Sequence, residues 1–284
     1  MVYYIENDNL IVGVKDFGAE LTSVKSKKSG FEFMWQGDPS VWSGQSPVLF
    51  PIIGRLLDDK YYFNGEEFKL EKHGFFRKRH AELANRADGE ITFIQTDGED
   101  TIGKYPFKFN IFITFSIRDN SITVSHKVKN INDKTMYFSL GAHPAFRCEV
   151  GDILRFDMPE NLDTVSIDRE SIRLEKTTPL LRNERDIVIT KNIFDNDALI
   201  LSNIKSERIS LINQGFGERV KFTFGNCPYL GIWAKPGASY VCIEPWWGIN
   251  DSRVKKADLS QKDGIQSLEA GETFEACWTA EFFG

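Results

Sequence analysis

The chain has 284 residues, enough to bury a large core without a disulfide or metal staple. Its composition, 41% hydrophobic and 27% charged, is that of a folded globular protein and excludes a disordered chain. A formal net charge of −6 argues against a nucleic-acid partner, which would call for a basic face.

In chain order, the N-terminus Met1-Val-Tyr-Tyr-Ile-Glu-Asn-Asp-Asn has no basic n-region and no apolar h-region. No later stretch is long and apolar enough to span a bilayer, so the expectation is a cytoplasmic chain with no membrane partner. Residues 10–14 and 19–25 read as strands, and residues 39–42 as a short helical turn. Asn64–Gly65 separates Tyr61-Tyr-Phe63 from Phe68-Lys-Leu70, the strongest short-range hairpin signal. Asp88–Gly89 joins residues 81–85 to 91–94 in the same way. Phe109, Ile111, Ile113 and Phe115 alternate with more polar neighbours, and after Asp119–Asn120 so do Ile122, Val124 and Val128. Further strands are expected at 135–140, 208–212, 220–224, 230–234, 240–244 and 272–282. Helical signals are few and short, at 193–201 and 255–259. No repeat, linker or charge block divides the chain. The pattern predicts an all-β sandwich or barrel formed by residues 1–284 as a single domain.

Cys148, Cys227, Cys242 and Cys277 include no pair at metal-ligand spacing and read as reduced, mostly buried thiols. Several motifs fail on inspection. Gly98-Glu-Asp-Thr-Ile-Gly103-Lys104 opens like a phosphate-binding loop, but Tyr105 stands where a Ser or Thr is required, and Pro106 opposes a helix. Gly44-Gln-Ser46-Pro-Val48 lacks the last glycine of a nucleophile elbow. No dense His, Cys or Asp cluster marks a metal site, and Gly215-Phe-Gly217 lacks a dinucleotide context. No metal and no cofactor are expected.

The chemistry-bearing segments lie elsewhere. In Ser239-Tyr-Val-Cys-Ile-Glu244-Pro-Trp-Trp-Gly248, Tyr240, Cys242 and Glu244 share one face of a strand that Pro245 is expected to end. A carboxylate among apolar and aromatic neighbours is partly desolvated, which raises its pKa toward that of a useful base. Trp246 and Trp247 offer a flat wall to a sugar ring. In Ser139-Leu-Gly-Ala-His143-Pro-Ala-Phe146, Pro144 forces His143 into an extended conformation at a strand exit. Its ordinary pKa near neutrality suits a general acid, or equally a hydrogen-bonded core histidine. Arg55 follows Pro51-Ile-Ile-Gly54, and Gly74 lets the backbone beside His73 approach a ligand closely. Asp195 and Asp197 offer acceptors for hydroxyls, or turn caps. His126 falls on the apolar parity of its strand and reads as structural, and His80 as solvated. Arg77–Lys78–Arg79 is the only sequence-local candidate for a phosphate contact.

Taken in order, Pro-Ile-Ile-Gly-Arg55, His73–Gly74, Gly-Ala-His143-Pro-Ala-Phe and Cys-Ile-Glu244-Pro-Trp resemble the aldose 1-epimerase (galactose mutarotase) superfamily, in detail its LacX-like branch. The resemblance implies a large antiparallel β-sandwich of the galactose-mutarotase type, with few short helices and a sugar cleft across one sheet. It implies Glu244 as general base, His143 as general acid, and Arg55 and His73 as sugar contacts, with Asp197 ahead of Asp195 as the sugar-contacting aspartate. The galactose-specific pattern carries Tyr-Phe-Asn after the catalytic histidine, whereas this chain carries Pro144-Ala-Phe146. The implied reaction interconverts the α and β anomers of a hexose with one base, one acid and no cofactor. The competing readings are a non-catalytic carbohydrate-binding or sensor protein and a hexose-6-phosphate 1-epimerase. A glycosidase would normally need two carboxylates.

Overall fold

The computed structural model describes residues 1–254 and 256–284. Strands make up 53% of the chain and helix 5%, so the fold is all-β, as the period-two pattern requires. Most strands belong to one antiparallel sheet. From one edge its order is Val48–Leu49, Leu140–Ala142, Tyr240–Trp247, Tyr229–Trp233, Leu199–Ser202, Ile153–Ile167 and Arg208–Asn213. It continues through Gly217–Thr223, Thr273–Phe282, Ser121–Asn130, Phe109–Arg118, Glu90–Thr96 and Glu82–Ala87. Ala145–Arg147 also pairs with Tyr240–Trp247, and Arg173–Val188 pairs with Ile153–Ile167. A separate three-stranded sheet holds Val2–Glu6, Leu10–Lys15 and Glu20–Ser26.

A twisted sheet of this length curls and packs on itself. The contacts show it doing so. Phe146, beside Tyr240–Trp247, meets Phe222 and Phe282 from the far half of the strand order. Phe50 meets Phe109 in the same way. Alternation supplies these inner faces: Phe109, Ile111, Ile113 and Phe115 are all buried, while Asn110, Phe112, Thr114 and Ser116 between them are half-buried. Asn64 and Gly65 take φ of 51° and 82°, the left-handed pair that a two-residue hairpin needs.

The structure departs from the sequence pattern at several points. The strand expected at 135–140 splits into Met136–Phe138 and Leu140–Ala142, which join different sheets. Residues 39–42 are a single turn in which Asp38 O accepts from Val41 N and Trp42 N, not a helix. Residues 193–198 form turns, and Leu199–Ser202 is a strand because edges on both sides accept it. Of the helix expected at 255–259, Lys255 lies outside the described residues; the helix found there is the short 3₁₀ turn Leu259–Gln261. Cys148 and Cys242 are buried and Cys227 half-buried, but Cys277 is exposed because alternation turns it outward with Glu275.

Two further differences position the site. The longest hairpin, Ile153–Ile167 with Arg173–Val188, carries little apolar alternation and gave no strand signal. Backbone pairing and ion pairs such as Arg155–Asp186 and Arg182–Asp163 hold it. The strand at Tyr240 does not end at Pro245 but runs on to Trp247. Ile243 N donates to Pro144 O, so by alternation the missing N–H of Pro245 faces the same side. That side is the break between Leu140–Ala142 and Ala145–Arg147, where no ladder bond is required.

Candidate active site

The same break sets His143 and Pro144 beside Glu244 and Pro245. His143 Nε2 lies 3.3 Å from Glu244 Oε2. Trp246, two residues on and therefore on the same face, donates its Nε1–H to the same Oε2 at 3.2 Å. Glu244 Oε1 takes part in neither contact. Both side chains are deeply buried, with 9% of His143 and 2% of Glu244 exposed. Burial raises the Glu244 pKa well above the carboxylate range, opposed by the Trp246 hydrogen bond and the charge of Lys72. Burial pushes His143 down to about 3. Both shifts disfavour charge, so the pair keeps one proton between its two members across neutral pH.

This pair stands in a cavity of about 430 Å³, within the range of small-molecule sites. Trp42 stacks on the His143 ring with centroids 5.1 Å apart, and Trp233 meets it edge-on at 5.7 Å. These contacts fix the imidazole plane. The tryptophan wall is not the one expected. Trp246 faces the cavity, whereas Trp247 alternates to the other face and packs on Phe274. Trp42 and Trp233 complete the wall instead.

His73 reaches the cavity from a left-handed turn, with φ of 66° at His73 and 67° at Gly74. Its N–H donates to Gly54 O at 2.8 Å, and its Nδ1 accepts from Gly54 N at 3.2 Å. Nε2 therefore carries the ring proton and is a donor. Burial, and after it the neighbouring His143, Lys72 and Arg77, hold His73 well below its ordinary pKa. Gly74 is required here. A Cβ on it would stand 2.2 Å from Phe50 O, at a φ that L side chains resist. Gly74→Ala is expected to cost at least about 2 kcal/mol of stability, from left-handed strain plus displacement of the Phe50 backbone. Chemical denaturation measures it, and an unchanged midpoint would show that the turn yields freely.

Asp197 and Asp195 both line the cavity. Asp197 Oδ1 accepts from Ala198 N at 2.8 Å and Oδ2 from Ser171 Oγ at 3.4 Å, while Asp195 accepts from Asn192. Arg55 does not line this cavity. Asp59 holds its guanidinium through two hydrogen bonds of 2.6 Å, and it borders an adjoining cavity that shares Lys72. The basic cluster also comes apart: Lys78 pairs with Glu71, Arg79 with Asp100, and Arg77 alone reaches the cavity. His80 is exposed, and His126 is buried and pushed down to about 4. Sequence reasoning passed over Lys72, Asn250, Trp42 and Trp233. The first adjoins His73–Gly74 in sequence, which was its one available signal.

The fold also gathers a cluster that sequence spacing did not reveal. Ligand atoms of His143, Cys242 and Glu244 lie within 4.8 Å of one another. Burial drives the Cys242 thiol well above its ordinary pKa, so it stands as a neutral thiol rather than a thiolate ligand. Among the described residues, no helix is long and apolar enough to cross a membrane.

A curled antiparallel sandwich with this cleft on one sheet defines a protein of the galactose-mutarotase fold. Residues 1–276 match the aldose 1-epimerase family, and the chain belongs to it. The chain is 29% identical over 288 residues to the plasmid-encoded protein LacX of Lactococcus lactis subsp. lactis, covering 94% of this chain and 95% of that one. It superposes on a galactose mutarotase related enzyme from Lactobacillus acidophilus with a TM-score of 0.95 at 32% identity, covering 100% and 98% of the two chains. A galactose mutarotase-like protein from Lactobacillus casei gives a TM-score of 0.95 at 26% identity over the whole of both chains.

Proposed function

We propose that the protein is an aldose 1-epimerase that interconverts the α and β anomers of a hexose, with Glu244 and His143 as its proton-transfer pair. The observation that carries this reading is the 3.3 Å contact between His143 Nε2 and Glu244 Oε2 at the base of a tryptophan-walled cavity. Family membership supports the sugar as substrate. One hydrophobic cluster joins residues from Ile5 to Phe282, which supports residues 1–284 acting as one domain.

Ring opening removes the proton from O1–H, breaks the C1–O5 bond and adds a proton to O5. The aldehyde turns about C1–C2 and the ring closes on the other face. Glu244 takes the O1 proton and His143 delivers one to O5. The reactive tautomer carries the shared proton on His143, and the charge of Lys72 supports the carboxylate that remains. In ring closure each group reverses its role. His73 Nε2–H and the carboxylate of Asp197 serve the other hydroxyls. A positioned proton donor or acceptor contributes about 10²–10⁴-fold, enough to accelerate a reaction that already runs unaided.

Polarimetry on freshly dissolved α-glucose and α-galactose tests the reading directly. The protein is expected to hasten the approach to equilibrium for at least one of them, and an unaltered rate for every free and phosphorylated hexose tried would refute it. The pH profile gives a second check. The working pair holds one proton, so activity fails on the acid side only when a second proton binds, near the lowered value of about 3 for His143. It fails on the alkaline side only above the raised value of Glu244. The catalysed rate should therefore be flat from roughly pH 5 through neutrality. Ordinary values of 4.5 and 6.5 would place a decline inside that window.

A further inference from the structure

Lys72 and Asp197 line the same cavity and carry opposite charges, yet among the described residues they make no ion pair. A single hydroxyl stands between them. Lys72 Nζ donates to Ser171 Oγ at 2.8 Å, and the Ser171 hydroxyl donates to Asp197 Oδ2 at 3.4 Å. A hydroxyl has one proton and two lone pairs, so it accepts from the ammonium and donates to the carboxylate at once. Asp197 Oδ1 accepts from Ala198 N at 2.8 Å, and both carboxylate oxygens keep lone pairs for a further donor.

The backbone holds this hydroxyl in place. Ser171 sits in the turn of the hairpin of Ile153–Ile167 with Arg173–Val188, at a φ of 63° and 8% exposed. Its N–H donates to Asp168 O at 2.9 Å, and its carbonyl accepts from Asn250 Nδ2 at 2.8 Å. Arg173 N donates to Asp251 O, and Arg253 pairs with Asp168 and Glu170. The segment that follows Glu244 in the chain therefore clamps the turn on both sides of Ser171. The Lys72 ammonium, by contrast, rides on a flexible four-carbon stem. The two charges that the hydroxyl separates both bear on the base: Lys72 favours the Glu244 carboxylate, and Asp197 opposes it.

We propose that Ser171 is a positioning residue: its hydroxyl holds Lys72 apart from Asp197, so that the ammonium supports Glu244 and the Asp197 carboxylate stays open to a sugar hydroxyl. The inference rests on the mutarotase reading of the same cavity. Without the hydroxyl the ammonium loses its acceptor, and Asp197 is the carboxylate next along its chain of contacts. The two charges then close into an ion pair, which occupies the carboxylate and draws the ammonium from Glu244. Asp197 serves sugar binding and Lys72 serves proton transfer, so KM and kcat both suffer.

Anomer exchange at equilibrium, followed by NMR with glucose and galactose as probes, tests this through KM and kcat separately. Ser171→Ala is expected to raise KM at least about tenfold and to lower kcat, tenfold being the lower range for one hydrogen bond to a charged group. Ser171→Gly removes the same hydroxyl, accepts a φ of 63° without strain, and is expected to show the same defect, so it reads the effect if the alanine variant does not fold. Lys72→Met is expected to lower kcat and to leave KM near the wild-type value. The deciding protein is the double variant: Ser171→Ala with Lys72→Met is expected to regain most of the lost KM, because no cation remains to capture Asp197. A hydroxyl with a merely structural role would make the double variant worse than either single one. An unchanged KM in Ser171→Ala and Ser171→Gly overturns the proposal, as does a double variant whose KM stays as high as that of Ser171→Ala. Either result leaves the mutarotase reading intact, because the wild-type rate stands as its own check. Absence of exchange by the wild type with both probes overturns both readings together.

Discussion

Glu244→Gln is expected to lower catalysed anomer interconversion by at least about a hundredfold while the fold persists. The amide keeps the shape of the carboxyl and still offers an oxygen to Trp246 Nε1, so the packing at the base of the cavity has no reason to change. What disappears is the acceptor for the O1 proton. The variant should not lose stability, and here the sign of the Glu244 shift matters. A carboxyl whose folded pKa is raised by burial supports the fold fully below its unfolded value, near 4.5, and progressively less as pH rises toward the folded value. Glutamine does not titrate and removes that penalty. The thermal midpoint of the variant at neutral pH should therefore equal or exceed that of the wild type. Loss of rate together with a higher or equal midpoint identifies a functional carboxylate. Near-full activity would remove Glu244 from the mechanism, and a collapsed midpoint would make it a structural group.

Much of the scaffold was legible because it obeys simple periodicity. Phe109–Arg118 and Ser121–Asn130 alternate cleanly, and Asn64–Gly65 names its own turn. The hairpin of Ile153–Ile167 with Arg173–Val188 was not, since its outer strand is mostly exposed and polar and has no buried face to impose a pattern. That omission hid part of the site. Ile167 near the hairpin tip lines the cavity, and Ser171 in its turn holds Lys72 and Asp197. The Glu244 carboxylate was readable from its apolar setting, although burial exceeds the partial desolvation expected. Its meeting with His143 was not, because it depends on pairing between distant strands. Pro144 and Pro245 were each read as a strand end. In the fold they mark one place, where a gap in the ladder accommodates both and brings the two side chains together. Arg55 shows the converse limit. Motif order assigned it to the sugar, but Asp59, four residues on, engages its guanidinium in the adjoining cavity.

His143→Asn is expected to cause a loss as large as that of Glu244→Gln, at least about a hundredfold, by a different route. Asparagine can hydrogen-bond but does not titrate, so it has no acidic proton to give to O5 and no basic nitrogen to take up the proton shared with Glu244. It also leaves the Trp42 and Trp233 rings without the imidazole they hold. Glu244 alone must then shed its proton before it acts as a base. Its raised pKa means that the residual activity of His143→Asn should rise with pH across the neutral range, where the wild-type rate is flat. The double variant carries the stronger test. Two groups that pass one proton across 3.3 Å act as a unit, and removal of either disables both. Glu244→Gln combined with His143→Asn should therefore lose little more than either change alone. Independent contributions would multiply, with two hundredfold losses giving about ten-thousandfold. Multiplying losses, measured by polarimetry under one set of conditions, would show that the two residues act on the sugar separately and that their contact is not the proton path.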